Sequence, residues 1–137
     1  MKILIIEDVP EIALALQIRL EKAGYVVITA SDGEEGLRKT REEKPDLIIL
    51  DLMLPKMDGY RVCRLIKFDK ELEHIPVVIL TVRDQERDKT LGREVGADAY
   101  IVKPYDFQEL LTTIKKLLIP DDVDFLLKRV GFKVKRS

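Results

Sequence analysis

The sequence contains few of the residues on which many protein classes depend: one cysteine, one histidine and no tryptophan among 137 residues. Cys63 alone cannot form an internal disulfide, which suits a reducing compartment. The 24 basic and 25 acidic side chains give a formal net charge of −1, so no global field attracts nucleic acid or an anionic membrane. We therefore expect no direct nucleic-acid binding by this chain.

Long hydrophobic runs are also missing. No apolar stretch approaches the roughly 20 residues that a membrane-spanning helix needs. The N-terminus, MKILIIEDV, lacks the longer apolar core and the small-residue cleavage site of a signal peptide. We expect a cytoplasmic protein with no membrane association.

The apolar residues that are present come in short runs. They make up 46% of the sequence, which at this length fits one compact domain with a core. Five apolar or β-branched runs predict strands at 2–6, 26–29, 47–50, 77–81 and 100–102. Apolar residues are continuous along these runs, a pattern typical of parallel strands that helices cover on both faces.

Helical patterns fill the intervals between the predicted strands. The first helix opens at Pro10 and stops at Gly24, and its spacing predicts that it buries Ile12, Ala13, Leu16, Leu20 and Ala23. The second begins with a capping-box pair, Ser31 and Glu34, and ends before Pro45. Because Leu37 is nearly its only large apolar residue, we expect this helix to be thinly anchored.

Three further helices are predicted. The third begins near Asp58 and carries Val62, Leu65 and Ile66. The fourth spans 84–96 and has few apolar residues, so we expect it to move at low energetic cost. The fifth begins at Asp106, ends before Pro120, and is predicted to bury Phe107, Leu110, Leu111, Ile114, Leu117 and Leu118.

Together these elements predict an α/β fold: a flavodoxin-like, doubly wound, five-stranded parallel sheet of order 2-1-3-4-5 with five helices. We expect one domain over residues 1–119. Residues 120–137 would form either a short amphipathic helix with a basic tail or a linker to an absent output domain. In such sheets ligands bind beyond the carboxyl ends of the strands, where the strand order reverses between strands 1 and 3.

Polar residues stand at those strand ends. Glu7 and Asp8 follow strand 1, Asp51 follows strand 3, Thr81 ends strand 4 and Lys103 follows strand 5. Three converging carboxylates repel one another unless a cation compensates, and oxygen ligands at an open site favour Mg²⁺. The alternative is that each acid only begins a loop or caps a helix, as Asp8 could do for the first helix.

In order and spacing, four segments resemble the motifs of the response-regulator receiver domain of bacterial two-component signalling. These are the acidic pair ED at 7–8, LDLMLPKMDG at 50–59, Thr81, and GADAYIVKPYDFQEL at 96–110. The resemblance implies that Asp51 is the phospho-acceptor and that Glu7, Asp8, Asp51 and the Met53 backbone carbonyl bind Mg²⁺. It further implies that Thr81 and Lys103 contact the phosphoryl group, that Tyr100 is an aromatic switch, and that the Lys103–Pro104 bond is cis.

The same resemblance implies partners. The phosphoryl donor would be a sensor histidine kinase or a phosphotransfer protein, and the target a downstream effector protein or output domain. The face formed by the fourth helix, the fifth strand and the fifth helix would carry the signal. A phosphorylation-dependent homodimer is one further option. Members that dimerise through this face usually have an acid and an arginine where this chain has Ala99 and Thr113, which argues against that particular dimer.

Three other functions share parts of this pattern. A haloacid-dehalogenase-like phosphatase needs a second Asp two residues after the nucleophile, where this chain has Met53. A flavodoxin-type electron carrier shares the topology, but its first loop cradles phosphate, which the acids of EDVPE would repel. A receiver that binds partners without phosphorylation is disfavoured by the presence of Asp51, Thr81 and Lys103 together.

Overall fold

The computed structural model describes residues 1–82, 93–119 and 131. Its five strands are β1 (Lys2–Ile6), β2 (Val26–Ala30), β3 (Leu47–Asp51), β4 (Val77–Thr81) and β5 (Ala99–Val102). They form one sheet of order β2-β1-β3-β4-β5 in which every neighbouring pair is parallel. The predicted fold class and strand order are therefore confirmed.

Four helices lie within the described residues: α1 (Pro10–Lys22), α2 (Gly33–Glu43), α3 (Gly59–Lys67) and α4 (Phe107–Leu118). The fifth predicted helix is thus α4. Asp106 caps α4 as predicted, and Asp58, near which α3 was predicted to begin, caps α3: their carboxylates accept the backbone N–H groups of Gln108 and Arg61. Most of the predicted fourth helix, and the predicted extension at 120–137 apart from Gly131, lie outside the described residues.

Helices cover both faces of the sheet, as the continuous apolar strands require. One core cluster joins alternate strand residues such as Ile5 and Ile49 to α1 and α4. The other joins the intervening residues, such as Ile48 and Ile79, to α2 and α3. Consecutive residues of one strand therefore face different layers, and every second residue faces the same layer. This pattern determines which polar side chains meet at the strand ends.

Several details of the helix predictions are wrong. Ile12 and Ala23 are exposed, because α1 turns its Ala13, Leu16 and Leu20 stripe toward the sheet. Leu65 is exposed as well, while α3 buries Val62, Cys63 and Ile66 on its opposite side.

The predicted cap of α2 is also wrong. The N-cap is Asp32, whose carboxylate accepts the Glu35 N–H at 2.8 Å, and Ser31 instead donates its hydroxyl to the Glu35 carboxylate. In α4, Leu110, Leu111 and Ile114 are buried as predicted, whereas Phe107, Leu117 and Leu118 are only half-buried. None of the described helices has both the length and the apolar content of a membrane span.

Candidate functional site

Side-chain alternation brings three charged groups to one side of the sheet at its carboxyl edge. Residues two positions apart share a face, so the layer shared with α1 and α4 continues from Ile5 to Glu7, from Ile49 to Asp51 and from Ile101 to Lys103. Lys103 Nζ lies 3.7 Å from Glu7 Oε1 and 3.9 Å from Asp51 Oδ2. The edge therefore carries a carboxylate pair that shares one ammonium group.

Asp8 adds a third carboxylate. Carboxylate oxygens of Glu7, Asp8 and Asp51 all lie within 4.8 Å of one another. Glu7 is 5% exposed, whereas Asp8 and Asp51 are half-buried. The alternative role of Asp8 as a helix cap is not observed, because the N-cap of α1 is Val9 and no side chain caps it. The three acids therefore form a cluster that is open on the Asp8 and Asp51 side.

The cluster is electrostatically strained without a cation. Burial, a hydrogen bond to Asp51 and the Asp51 charge together raise the pKa of Glu7 from 4.5 to about 8. The Lys103 ammonium lowers this pKa but does not cancel the increase. Glu7 thus holds a proton at neutral pH in the absence of another positive charge.

The donor set fits a hard divalent cation. Every side-chain donor is a carboxylate oxygen, and no sulfur or imidazole lies in the cluster. A cation among these oxygens would replace the proton of Glu7 and offset the repulsion within the cluster. Mg²⁺, which takes one or two carboxylates and retains several waters, matches this partly open arrangement.

Thr81 lies at the end of β4, next to the acid-bearing end of β3. Asp51 pairs with Leu80 in the sheet, which puts Thr81 one residue beyond that pair, and its side chain is fully buried. The Thr81 carbonyl accepts the Lys103 N–H at 2.7 Å, so the backbones of these two residues are directly joined. The Lys103–Pro104 peptide bond is cis, as expected.

Tyr100 belongs to the other layer of the core. It pairs with Ile79 in the sheet and packs against the cluster shared with α2 and α3. Thr81, two residues after Ile79, lies on the same face of the sheet. The two predicted switch residues are thus neighbours on one face, while the acid cluster continues the other.

The loop after β3 passes close to the start of α3. A Cβ atom at Gly59 would lie 2.7 Å from the Leu52 Cα and 2.8 Å from the Asp51 carbonyl oxygen. Gly59 is therefore needed for a close approach of two backbone segments beside Asp51. The Met53 N–H, in the same loop, donates to Asp51 Oδ1 at 3.2 Å.

Lys56 forms an ion pair that was not predicted from the sequence. It has a left-handed backbone conformation, with φ of 67°, and its ammonium lies 3.4 Å from Asp32 Oδ2. The pair ties the loop after Asp51 to the N-terminus of α2. No periodic pattern or motif points to it, because both residues lie in irregular segments.

Comparison with known proteins agrees with this geometry. A family model described as the response regulator receiver domain matches residues 3–115. The alkaline phosphatase synthesis transcriptional regulatory protein PhoP of Bacillus subtilis is 50% identical over 117 residues, which are 85% of this chain and 48% of PhoP. The DNA-binding dual master transcriptional regulator RpaA of Synechocystis is 46% identical over the same shares. The chain spans about half the length of the curated relatives it matches.

Solved structures match as well. The BeF3-activated N-terminal receiver domain of Klebsiella pneumoniae RstA has a TM-score of 0.80 and 32% identity, covering 88% of this chain and 100% of that one. The response regulator TrrA of Thermotoga maritima, in complex with Mg²⁺-BeF, has a TM-score of 0.77 and 35% identity, covering 85% and 98%. Because the family model spans nearly all of the sheet and its helices, this chain belongs to the response regulator receiver domain family.

Proposed function

We propose that residues 1–119 act as a phosphorylation-dependent signalling switch with Asp51 as the phospho-acceptor. The observation that carries this proposal is the shared ion pairing of Lys103 with Glu7 and Asp51 at the carboxyl edge of the sheet. It supplies a carboxylate nucleophile, a fixed positive charge and a cation-binding acid cluster in one place. The domain is a regulatory phospho-acceptor rather than a turnover enzyme.

In the proposed reaction a carboxylate oxygen of Asp51 attacks the phosphorus of a donor phosphoryl group. The bond from phosphorus to the donor atom breaks, and its electron pair leaves with the donor, which takes up a proton from water. The product is an aspartyl phosphate. Lys103 neutralises the negative charge that develops on the phosphoryl oxygens, and Thr81 donates its hydroxyl to one of them.

Glu7, Asp8, Asp51 and the backbone carbonyl of Met53 would hold Mg²⁺ at this site. When bound, Mg²⁺ shields the attacking carboxylate from the incoming phosphoryl oxygens and polarises the phosphorus. The chain's own contribution is the arrangement of acids around Asp51, and the raised pKa of Glu7 supports a need for added positive charge there. That the related TrrA structure is a complex with Mg²⁺-BeF supports the same assignment.

The phosphoryl donor would be a sensor histidine kinase or a phosphotransfer protein. Leu14 and Ile18 are exposed apolar residues four positions apart on one face of α1, and they support docking of such a donor beside the acid cluster. Leu14 also lines an open pocket with Glu7 and Asp8, which links this face to the acid cluster.

Phosphorylation would be transmitted through Thr81 and Tyr100. Tyr100 pairs with Ile79, and Thr81 follows Ile79 by two residues on the same face of the sheet. A movement of the Thr81 hydroxyl toward the phosphoryl group would therefore change the space beside the Tyr100 side chain. The output face would comprise the fourth predicted helix, β5 and α4. Its target is a downstream effector protein or an output domain, and a phosphorylation-dependent homodimer is one form that the output could take.

The names of the relatives support a role in transcription. PhoP and RpaA are named as transcriptional regulators, and the chain covers 48% of each. Direct DNA contact would then come from an output domain, not from the receiver residues. A phosphatase of the haloacid-dehalogenase type is disfavoured, since Met53 provides no carboxylic acid to protonate a leaving group.

The test is phosphorylation by a small acyl phosphate. The full chain is incubated with Mg²⁺ and acetyl phosphate, and intact mass is followed with time. We expect one phosphoryl adduct that requires Mg²⁺ and is absent from Asp51→Asn. Asp58→Asn is the matched control, because it alters a carboxylate in the same loop while retaining a residue able to cap α3. An adduct of equal yield in Asp51→Asn would overturn the proposal.

A further inference from the structure

A second concave surface lies on the outer side of α3, apart from the acid cluster. It is an open groove of about 750 Å³ whose walls come from α2, α3, the loop after α3 and the turn before β5. The residues that give it its character are Arg41, Arg61, Arg64, Leu65, Phe68 and Val95. Glu7, Asp8, Asp51 and Lys103 do not line it.

The floor of the groove is apolar and open to solvent. Phe68 is 69% exposed and Leu65 39% exposed, although both are large hydrophobic residues. The opposite side of α3 is already buried in the core, so packing within the described residues does not account for these two side chains. Exposed apolar residues grouped in a concavity are typical of an interaction site.

The rim of the groove is cationic. Three arginines contribute to it, and no carboxylate of residues 1–82 or 93–119 forms an ion pair with any of them. The two acids of the rim, Asp58 and Asp69, already accept backbone N–H groups at 3.0 and 2.8 Å. Arg64 lies over the Phe68 ring, 5.9 Å from its centroid, which places a guanidinium directly beside the apolar floor.

We propose that this groove binds an acidic amphipathic segment of a partner protein. Aliphatic or aromatic side chains of the segment would contact Leu65 and Phe68, and its carboxylates would pair with Arg41, Arg61 and Arg64. A second copy of this chain fits less well, because a two-fold interface would bring two cationic rims together. The proposed binding does not require phosphorylation of Asp51.

Two residues of the groove also contact the core layer that contains the switch residue Tyr100. Tyr60 and Val95, which line it, pack against the same core cluster as Tyr100. A segment bound in the groove would therefore touch side chains of the layer that the proposed switch uses.

The experiment uses the full chain without phosphorylation and a synthetic helical peptide with leucine and phenylalanine on one face and glutamate on the other. Backbone amide signals are followed by NMR during titration, beside a peptide in which lysine replaces every glutamate. We expect shifts at 60–68 and around Arg41 and Val95 with the glutamate peptide only. The double variant Arg61→Glu/Arg64→Glu is expected to weaken binding by at least about tenfold. Added salt should weaken binding of the glutamate peptide to the wild type.

Arg38→Glu is the matched control, since Arg38 is an exposed arginine of α2 that pairs with Glu42 and does not line the groove. It should bind the peptide as the wild type does, and Phe68→Ala should weaken binding without changing the circular dichroism spectrum. The proposal is overturned by shifts that fall outside the groove, by equal binding of the lysine peptide, or by unchanged affinity of the double variant. Groove shifts that depend on protein concentration without peptide would indicate self-association and would also overturn it.

Discussion

Lys103 Nζ lies 3.9 Å from Asp51 Oδ2, although the two residues belong to strands separated by β4. The contact arises because both side chains continue the same face of the sheet beyond its carboxyl edge. The Lys103 backbone is tied to the Thr81 carbonyl, so the ammonium is supported by the strand that lies between. A charge held in this way is preorganised for a phosphoryl group on Asp51.

Lys103→Met is expected to lower the rate of Asp51 phosphorylation by acetyl phosphate by roughly 100-fold, because the charge that stabilises the transferring oxygens is removed. The rate is measured by intact mass at saturating Mg²⁺. Lys115→Met, in the last turn of α4, removes a surface lysine of the same size and should leave the rate unchanged. A Lys103 variant that reacts at the wild-type rate would refute the assigned role.

The pKa of Glu7 predicts a pH dependence of stability. Because this pKa is about 8 in the folded chain and 4.5 is its ordinary value, the folded state binds the proton more tightly than the unfolded state. In the presence of a chelator, the free energy of unfolding should therefore fall by on the order of a few kcal/mol as pH rises from 4.5 through about 8. Urea unfolding at a series of pH values measures this change.

Glu7→Gln keeps a neutral side chain at every pH and should flatten that profile. Glu71→Gln, at an exposed position, should leave the decline in place. In the wild type, added Mg²⁺ should restore stability most strongly at the alkaline end, where the cation no longer competes with the Glu7 proton. A wild-type profile that rises between these pH values would contradict the electrostatic account of the cluster.

Gly59→Ala should disturb the site through backbone displacement. The new Cβ would lie 2.7 Å from the Leu52 Cα and 2.8 Å from the Asp51 carbonyl, so one backbone segment must move. We expect a loss of about 1–3 kcal/mol in the free energy of unfolding and slower phosphorylation of Asp51. Gly24→Ala, at a positive φ of 100° with no neighbour within 4 Å, should lose stability without slowing phosphorylation.

Thr81→Ala should separate binding at Asp51 from the conformational change that follows it. The variant retains Asp51 and Lys103 and should still bind beryllofluoride, but the amide shifts at 99–118 should shrink to about a third or less of the wild-type values. NMR with Mg²⁺ and beryllofluoride measures both effects. Thr112→Ala, which removes an exposed hydroxyl bonded to the Gln108 carbonyl, should give the wild-type response. Full shifts at 99–118 in the Thr81 variant would exclude it as the coupling residue.

Much of the fold follows from local patterns. The runs at β1, β3 and β4 are short, apolar and continuous, which is enough to predict parallel strands. Their alternation with helices predicts a doubly wound sheet, for which 2-1-3-4-5 is a common order. The acids and Lys103 were predictable as a group because each follows a strand whose end meets the same edge. Their proximity needed no information beyond topology.

The predictions that were wrong or missing concern side-chain burial, a helix cap and a loop ion pair, which sequence patterns do not determine. α1 has apolar residues at more positions than one face can bury, so periodicity alone did not decide that Ile12 is exposed. Ser31 and Asp32 are both good helix caps, and the extended backbone of Asp32 decides between them. The Lys56 to Asp32 pair joins two irregular segments, for which no periodic signal exists.

The central claim is that Asp51 carries the phosphoryl group, and the most direct measurement identifies the modified residue. The chain is phosphorylated with acetyl phosphate and Mg²⁺, then treated with borohydride, which reduces an aspartyl phosphate to homoserine and leaves free carboxylates intact. Peptide mass spectrometry locates the product. The account predicts homoserine at position 51 alone. Reduction at Asp8 or Asp58, or a phosphorylated chain with no reduced residue, would contradict it.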